Sequence, residues 1–172
     1  MAKSHIDAEN QLKTKRLTYT IFRNNLYADL LPMFMGENVL ESGVFFPAGN
    51  TPVAFTLRDD MAEAIANVEM TEGHENKVYG ISSNERLNFT QAAKLISEVS
   101  GKEVQYLNPD NALYQGALKQ AGVPEHFVAM FAGFAEAMKQ GEFDTEHSDL
   151  STLLQREPLK LKTFLAQVYG QN

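Results

Sequence analysis

Tyr27 offers a phenol, Asn24 and Asn25 offer amides, and Arg23 offers a cation, all within five residues that end an apolar run. That run, Leu17-Thr18-Tyr19-Thr20-Ile21-Phe22, is rich in β-branched and aromatic residues and reads as a parallel strand inside a sheet, not a solvent-facing edge. Ligands of such sheets bind beyond the carboxyl ends of the strands, where the loops diverge. Residues 23 to 27 sit at that end. Upstream, His5 and Glu9 are four apart on a helical pattern and share a face, which suits either an i,i+4 polar pair or an imidazole that passes protons. Tyr27 and Asn24 have two readings as well. They satisfy backbone groups of a loop, or they face a ligand.

The elements that must carry these groups follow from periodicity. Residues 2 to 15 form an amphipathic helix with Ala2, His5, Glu9 and Leu12 on one side, and a short turn at Lys15-Arg16 sends the chain back along the strand of residues 17 to 22. Residues 44 to 46, 53 to 57, 78 to 81 and 104 to 107 read as further strands. Asp60 with Glu63 resembles a capping box for a helix striped by Met61, Ala64, Ile65 and Val68. Asn88 caps a helix that Gly101 ends, Asn108-Pro109 opens another, and Pro124 opens a longer one with Phe127, Val128, Phe131 and Phe134 on its apolar side. Helices alone follow. Interleaved strands and helices place the chain in the α/β class, as a single domain over residues 1 to 172.

Composition narrows the partners. Fifteen Lys and Arg against 22 Asp and Glu give a net charge of −7, spread along the chain, which argues against nucleic acid or an anionic membrane. There is no cysteine, so disulfides, thiolate nucleophiles and Cys-containing zinc sites are excluded. His74, His126 and His147 have no partner at metal-ligand spacing, and no metal site is expected. The first residues carry no apolar leader and no window approaches a membrane span, so a soluble, cytoplasmic protein is expected.

Several segments in order resemble the NmrA-like branch of the atypical short-chain dehydrogenases, which includes NAD(P)H:quinone oxidoreductases, azoreductases and triphenylmethane reductases. They are His5-Ile6-Asp7-Ala8-Glu9, the run from Leu17 to Tyr27, Phe46-Pro47-Ala48-Gly49, Arg58-Asp59-Asp60-Met61-Ala62, Gly73-His74-Glu75-Asn76-Lys77-Val78-Tyr79, Ser100-Gly101-Lys102-Glu103-Val104, and Gly122-Val123-Pro124. The resemblance implies a Rossmann-like, doubly wound sheet of which this chain is a later part, with a C-terminal helical cap over the substrate. The N-terminal nucleotide-binding half is then missing. No G-x-G-x-x-G, G-x-x-G-x-x-G or G-x-x-x-x-G-K-[ST] is present, and such glycines are what let backbone N–H groups approach a pyrophosphate.

By the same resemblance, Asn24, Asn25, Leu26, Tyr27, Ala28 and Asp29 run past the nicotinamide end of NAD(P)H, and Phe46, Phe127 and Phe131 line the place of the acceptor. The family's Tyr-x-x-x-Lys-x-x-x-Glu positions fall on Met1, His5 and Glu9. The usual catalytic Tyr is therefore absent, and His5 and Tyr27 are the candidate catalytic residues. The implied reaction is hydride transfer to a quinone or similar planar acceptor, protonated by water or a nearby acid. The implied partner is a second copy or a separate nucleotide-binding chain, because the strand of residues 17 to 22 would lack neighbours on one side. A non-catalytic sensor or interaction module is the alternative.

Overall fold

A computed structural model describes residues 3–36 and 38–170. Met1 and Ala2, to which the sequence reading gave a motif position and a helix face, lie outside the described residues. The chain begins with α1 (Lys3–Thr14), turns at Lys15-Arg16 and enters β1 (Thr20–Asn24). A 3-10 turn (Ala28–Leu30) leads into the short helices α2 (Leu31–Met35) and α3 (Val39–Ser42), then β2 (Val44–Phe45). After a long irregular stretch come α4 (Arg58–Glu69), β3 (Lys77–Ile81), α5 (Phe89–Ser100) and β4 (Tyr106–Leu107). The remainder is helical: α6 (Asn111–Gln120), α7 (Glu125–Lys139), α8 (Leu150–Leu154) and α9 (Leu161–Tyr169).

Among the described residues the strands make two parallel pairs, β1 with β3 and β2 with β4. In the first pair Thr20 faces Lys77 and Asn24 faces Ile81, and the Asn25 amide continues the ladder to the Ile81 carbonyl at 2.9 Å. A parallel pair needs a crossover, and α4 supplies it. The outer flank of β3 is covered: the Asp149 amide donates to the Gly80 carbonyl, and the Gly80 and Ser82 amides donate to the Asp149 carboxylate and the Ser148 hydroxyl. No described strand pairs with the outer flank of β1. The strand expected over residues 17 to 22 is shifted, since Leu17 to Tyr19 precede it and Leu17 is 51% exposed; the resemblance implied neighbours on one side only, and among the described residues β1 pairs with β3 alone.

Two apolar clusters hold the elements. The larger joins α2, β2, α5, α7 and α9 through Phe34, Phe46, Phe89, Ile96, Met138 and Leu165, with rings in close tilted or edge contact around Phe46. The smaller lies on the Phe22 side of the β1–β3 pair, where Met61, Ala64 and Val68 of α4 meet Ile81 and Leu150, Leu153 and Leu154 of α8. In contrast, α1 has no buried residue.

Local signals explain the helix ends that match expectation. Asn88 accepts the Gln91 amide at 2.9 Å while the Gln91 side chain accepts the Asn88 amide, a complete capping box, and Gly101 closes α5 with φ +69°. Others differ. Asp110, not Asn108, caps α6. Asp60 lies inside α4 and makes no capping box with Glu63, because its carboxylate accepts from Arg156 and the Leu159 amide. Residues 53 to 57 were expected to form a strand but make only single bridges, Val53 to Leu87 and Tyr27 to Thr56.

Candidate functional site

The candidate site is a cleft of about 810 Å³ between α1 and β1. One wall is the inner side of α1, with His5, Ala8, Glu9 and Leu12; the other is β1 and the residues just past it, with Ile21, Phe22, Arg23, Asn24 and Tyr27. The turn of Lys15-Arg16 joins the helix to the strand at one end, and the Glu9 side chain reaches Arg23 farther along. α1 buries none of its residues, so its apolar side does not close the opening.

The far end of the cleft is where β1 stops. Asn25 makes the stop: its Oδ1 accepts the Leu26 amide at 2.8 Å, and its Nδ2 donates to the Phe143 carbonyl and the Thr145 hydroxyl, both at 3.1 Å. Leu26 and Ala28 then point into the core. Between them Tyr27, half-buried, bridges to Thr56 and remains on the cleft wall. The Asp29 carboxylate accepts the Arg58 amide at 3.0 Å and faces the Arg58 guanidinium.

Of the residues singled out from the sequence, the structure brings His5, Asn24 and Tyr27 to one cleft. Asn25 and Asp29 sit beside it with their side chains bonded internally, and Leu26 and Ala28 could meet a ligand only through backbone. Phe46 is fully buried among Phe34, Phe89 and Tyr114, so the expectation that it lines an acceptor site is corrected: it is a core residue with no free face. Phe127 is 43% exposed beside His126, and Phe131 packs edge-on to Phe34; neither lines the cleft. Among the described residues no cluster of His, Asp and Glu has the arrangement of a metal site, and no helix is long and apolar enough to cross a membrane.

Sequence reasoning missed the pairing of Glu9 with Arg23. Arg23 donates from Nε and Nη2 to the two oxygens of Glu9 at 2.9 and 2.7 Å, in the bidentate geometry that suits a guanidinium. Arg23 holds the Glu9 carboxyl below the usual carboxylate range, chiefly through this hydrogen bonding, and Glu9 in turn raises Arg23. The signal was present: an acidic residue on the inner face of a helix and a basic residue at the end of the next strand, joined by a short turn.

The sequence and the fold are similar to those of known proteins. Quinone oxidoreductase 2 of Escherichia coli is 31% identical over 173 residues, a match that spans all of this chain and 60% of that protein. The crystal structure of an NADPH-dependent quinone oxidoreductase from Escherichia coli superposes with a TM-score of 0.90 at 28% identity, over 98% of this chain and 62% of that one. An NmrA-like family domain-containing oxidoreductase of Aspergillus flavus is 24% identical over 173 residues, covering 99% of this chain and 56% of its own length. Over its whole length the chain resembles these oxidoreductases, one of them an NmrA-like family protein. No family model matches it. The chain spans 60% and 56% of the length of these two curated relatives, and its small parallel sheets flanked by helices superpose on part of the quinone oxidoreductase structure.

Proposed function

We propose that this chain forms the nicotinamide-side and acceptor-side portion of an NAD(P)H-dependent oxidoreductase that reduces a quinone or similar planar acceptor. The single observation that carries the reading is the cleft at the carboxyl end of β1, with His5, Asn24 and Tyr27 on its walls. That is where an open α/β sheet binds its ligand. Its volume, about 810 Å³, has room for a nicotinamide ring and a flat acceptor together. The relatives named above, one an NADPH-dependent quinone oxidoreductase, support the cofactor and the acceptor class.

The residues present fit one end of the dinucleotide. Asn24 has an amide and Tyr27 a phenol and an aromatic face for a carboxamide-bearing ring. A glycine-rich phosphate turn is absent from the sequence, and Arg23 already satisfies Glu9. The phosphates would thus be held by a nucleotide-binding unit that carries such a turn, seated against the open flank of β1. NAD(P)H supplies the hydride when bound. Reduction of a quinone by one hydride leaves an oxyanion, and one proton completes the hydroquinone. Exposed His5 gives that proton and is reloaded from water. Tyr27 orients the acceptor and shields one face of it from solvent.

A probe lacking the adenosine half tests this. Reduced nicotinamide mononucleotide and NADPH should bind the isolated chain with similar affinity, each perturbing the amide resonances of Asn24 and Tyr27. Tyr27→Phe and Asn24→Ala should weaken both. If neither compound moves those resonances, the reading fails. The alternative, a non-catalytic interaction module, would then hold for a chain that binds no nicotinamide and turns over no quinone.

A further inference from the structure

α1 is attached to the rest of the protein in an unusual way. None of its residues is buried, and Ile6 is 53% exposed. Such a helix gains little from packing, and the hydrophobic effect alone does not fix its angle to β1. Two features do. One is the covalent turn at Lys15-Arg16. The other is the Glu9 carboxylate, which both donor atoms of the Arg23 fork engage. Among the described residues no other side-chain hydrogen bond joins α1 to another element. Glu9 is only 13% exposed although it lies on an otherwise exposed helix, because Arg23 covers it.

We propose that Glu9 and Arg23 are positioning residues of the cleft: the pair sets the angle of α1 over β1 and thereby holds His5 on the wall opposite Asn24 and Tyr27. This rests on the oxidoreductase reading only for what His5 is held to do. One helical turn separates His5 from Glu9, so a small change in the tilt of α1 at Glu9 is carried directly to the imidazole. A point contact made by a planar fork fixes both distance and orientation, which a lysine in the same place could not. The cleft then has a defined width only while the pair is formed. The charged groups that face Glu9 are Arg23 from β1 and His5 and Lys13 from its own helix. Acid that protonates Glu9 should therefore release α1 reversibly.

The absence of cysteine allows two introduced cysteines to be spin-labelled without background. Asn10 on α1 and Ala66 on α4 are both exposed and neither belongs to the pair, so Asn10→Cys and Ala66→Cys can carry the labels. Pulsed electron resonance on the full chain should give one narrow distance. Glu9→Gln and Arg23→Gln should each broaden and shift it with the far-ultraviolet spectrum unchanged, and the reversed pair, Glu9→Arg with Arg23→Glu, should restore it. Lowering the pH through the depressed range of Glu9 should broaden the parent distance but leave Glu9→Gln indifferent to pH. Binding of NADPH and of menadione should weaken by about threefold in each single variant and recover in the reversed pair. An unchanged distance in both single variants overturns the proposal, as does a reversed pair that stays broad. If the distance responds as described but neither compound binds any form, the clamp stands and the oxidoreductase reading falls.

Discussion

Arg156 Nη2 lies 2.8 Å from Asp60 Oδ1, a contact between residues 96 apart in the chain that ties the segment before α9 to the first turn of α4. The second oxygen of the same carboxylate accepts the Leu159 amide, and the guanidinium also reaches Glu63. Asp60 is 3% exposed, so its charge has no solvent to fall back on. Asp60→Ala strands the Leu159 amide and takes one of two carboxylates from Arg156, and it should cost about 2 kcal/mol of unfolding free energy. Glu63→Ala, on the exposed side of Arg156, should change far less. Urea midpoints compared at constant slope decide this, and similar losses for the two would refute the assignment of Asp60 as the anchor.

Phe46 and Phe127 make a second contrast. Phe46→Ala opens a hole among Phe34, Phe89 and Tyr114 and should destabilise by about 3–5 kcal/mol. Phe127→Ala, at a partly exposed position, should stay within about 1 kcal/mol. Thermal melts of the two variants measure it. A mild Phe46 variant would mean that the ring has a free face after all.

Asn25 and Tyr27 are two residues apart and should fail differently. Asn25→Ala removes the bonds to the Phe143 carbonyl, the Thr145 hydroxyl and the Leu26 amide, and it should cost about 2 kcal/mol of stability. Among the described residues the Tyr27 phenol makes no hydrogen bond, so Tyr27→Phe should leave stability nearly unchanged while weakening nicotinamide binding. Denaturant curves alongside nicotinamide fluorescence titrations separate the two effects.

Alkaline stability is set by buried phenols. Burial pushes Tyr106 and Tyr114 each to about 12, and it raises Tyr169 too. In the unfolded chain these phenols ionise near their ordinary value of 10.0, while the folded protein keeps them neutral. The stability this contributes is therefore fully present below pH 10 and is lost as pH rises toward about 12. Tyrosinate absorbance of the folded chain should show a late-titrating group of tyrosines, and Tyr114→Phe should make unfolding less steep with pH. A single titration step near 10 for all tyrosines would contradict it.

How much of this could be read beforehand depended on how local each signal was. The ends of α5 were legible because Asn88, Gln91 and Gly101 bond within their own turns. The role of Asp60 was not, since the group that claims it is 96 residues away and a capping pattern in sequence says nothing about distant competitors. Residues 53 to 57 are a short, mostly apolar run that reads as a strand, yet the backbone bonds of Val53, Ala54 and Thr56 go to Leu87, Phe143 and Leu26 in turn, so no single neighbour can form a ladder. In the candidate site, the clustering of Asn24 and Tyr27 followed from the end of a strand, and His5 from the helix folded back on it. Phe46 was misplaced because an aromatic residue before Pro-Ala-Gly looks the same in a loop that lines a ligand and in one that plugs a core.

The open flank of β1 also bears on how the isolated chain behaves in a test tube. A strand that leaves one margin bare, next to the half-exposed Leu17 and Ile6, can recruit the same margin of a neighbour. Concentrated stocks should therefore thicken and precipitate with a rise in thioflavin signal. Leu17→Lys, at a half-exposed position beside that margin, would be the first remedy to try.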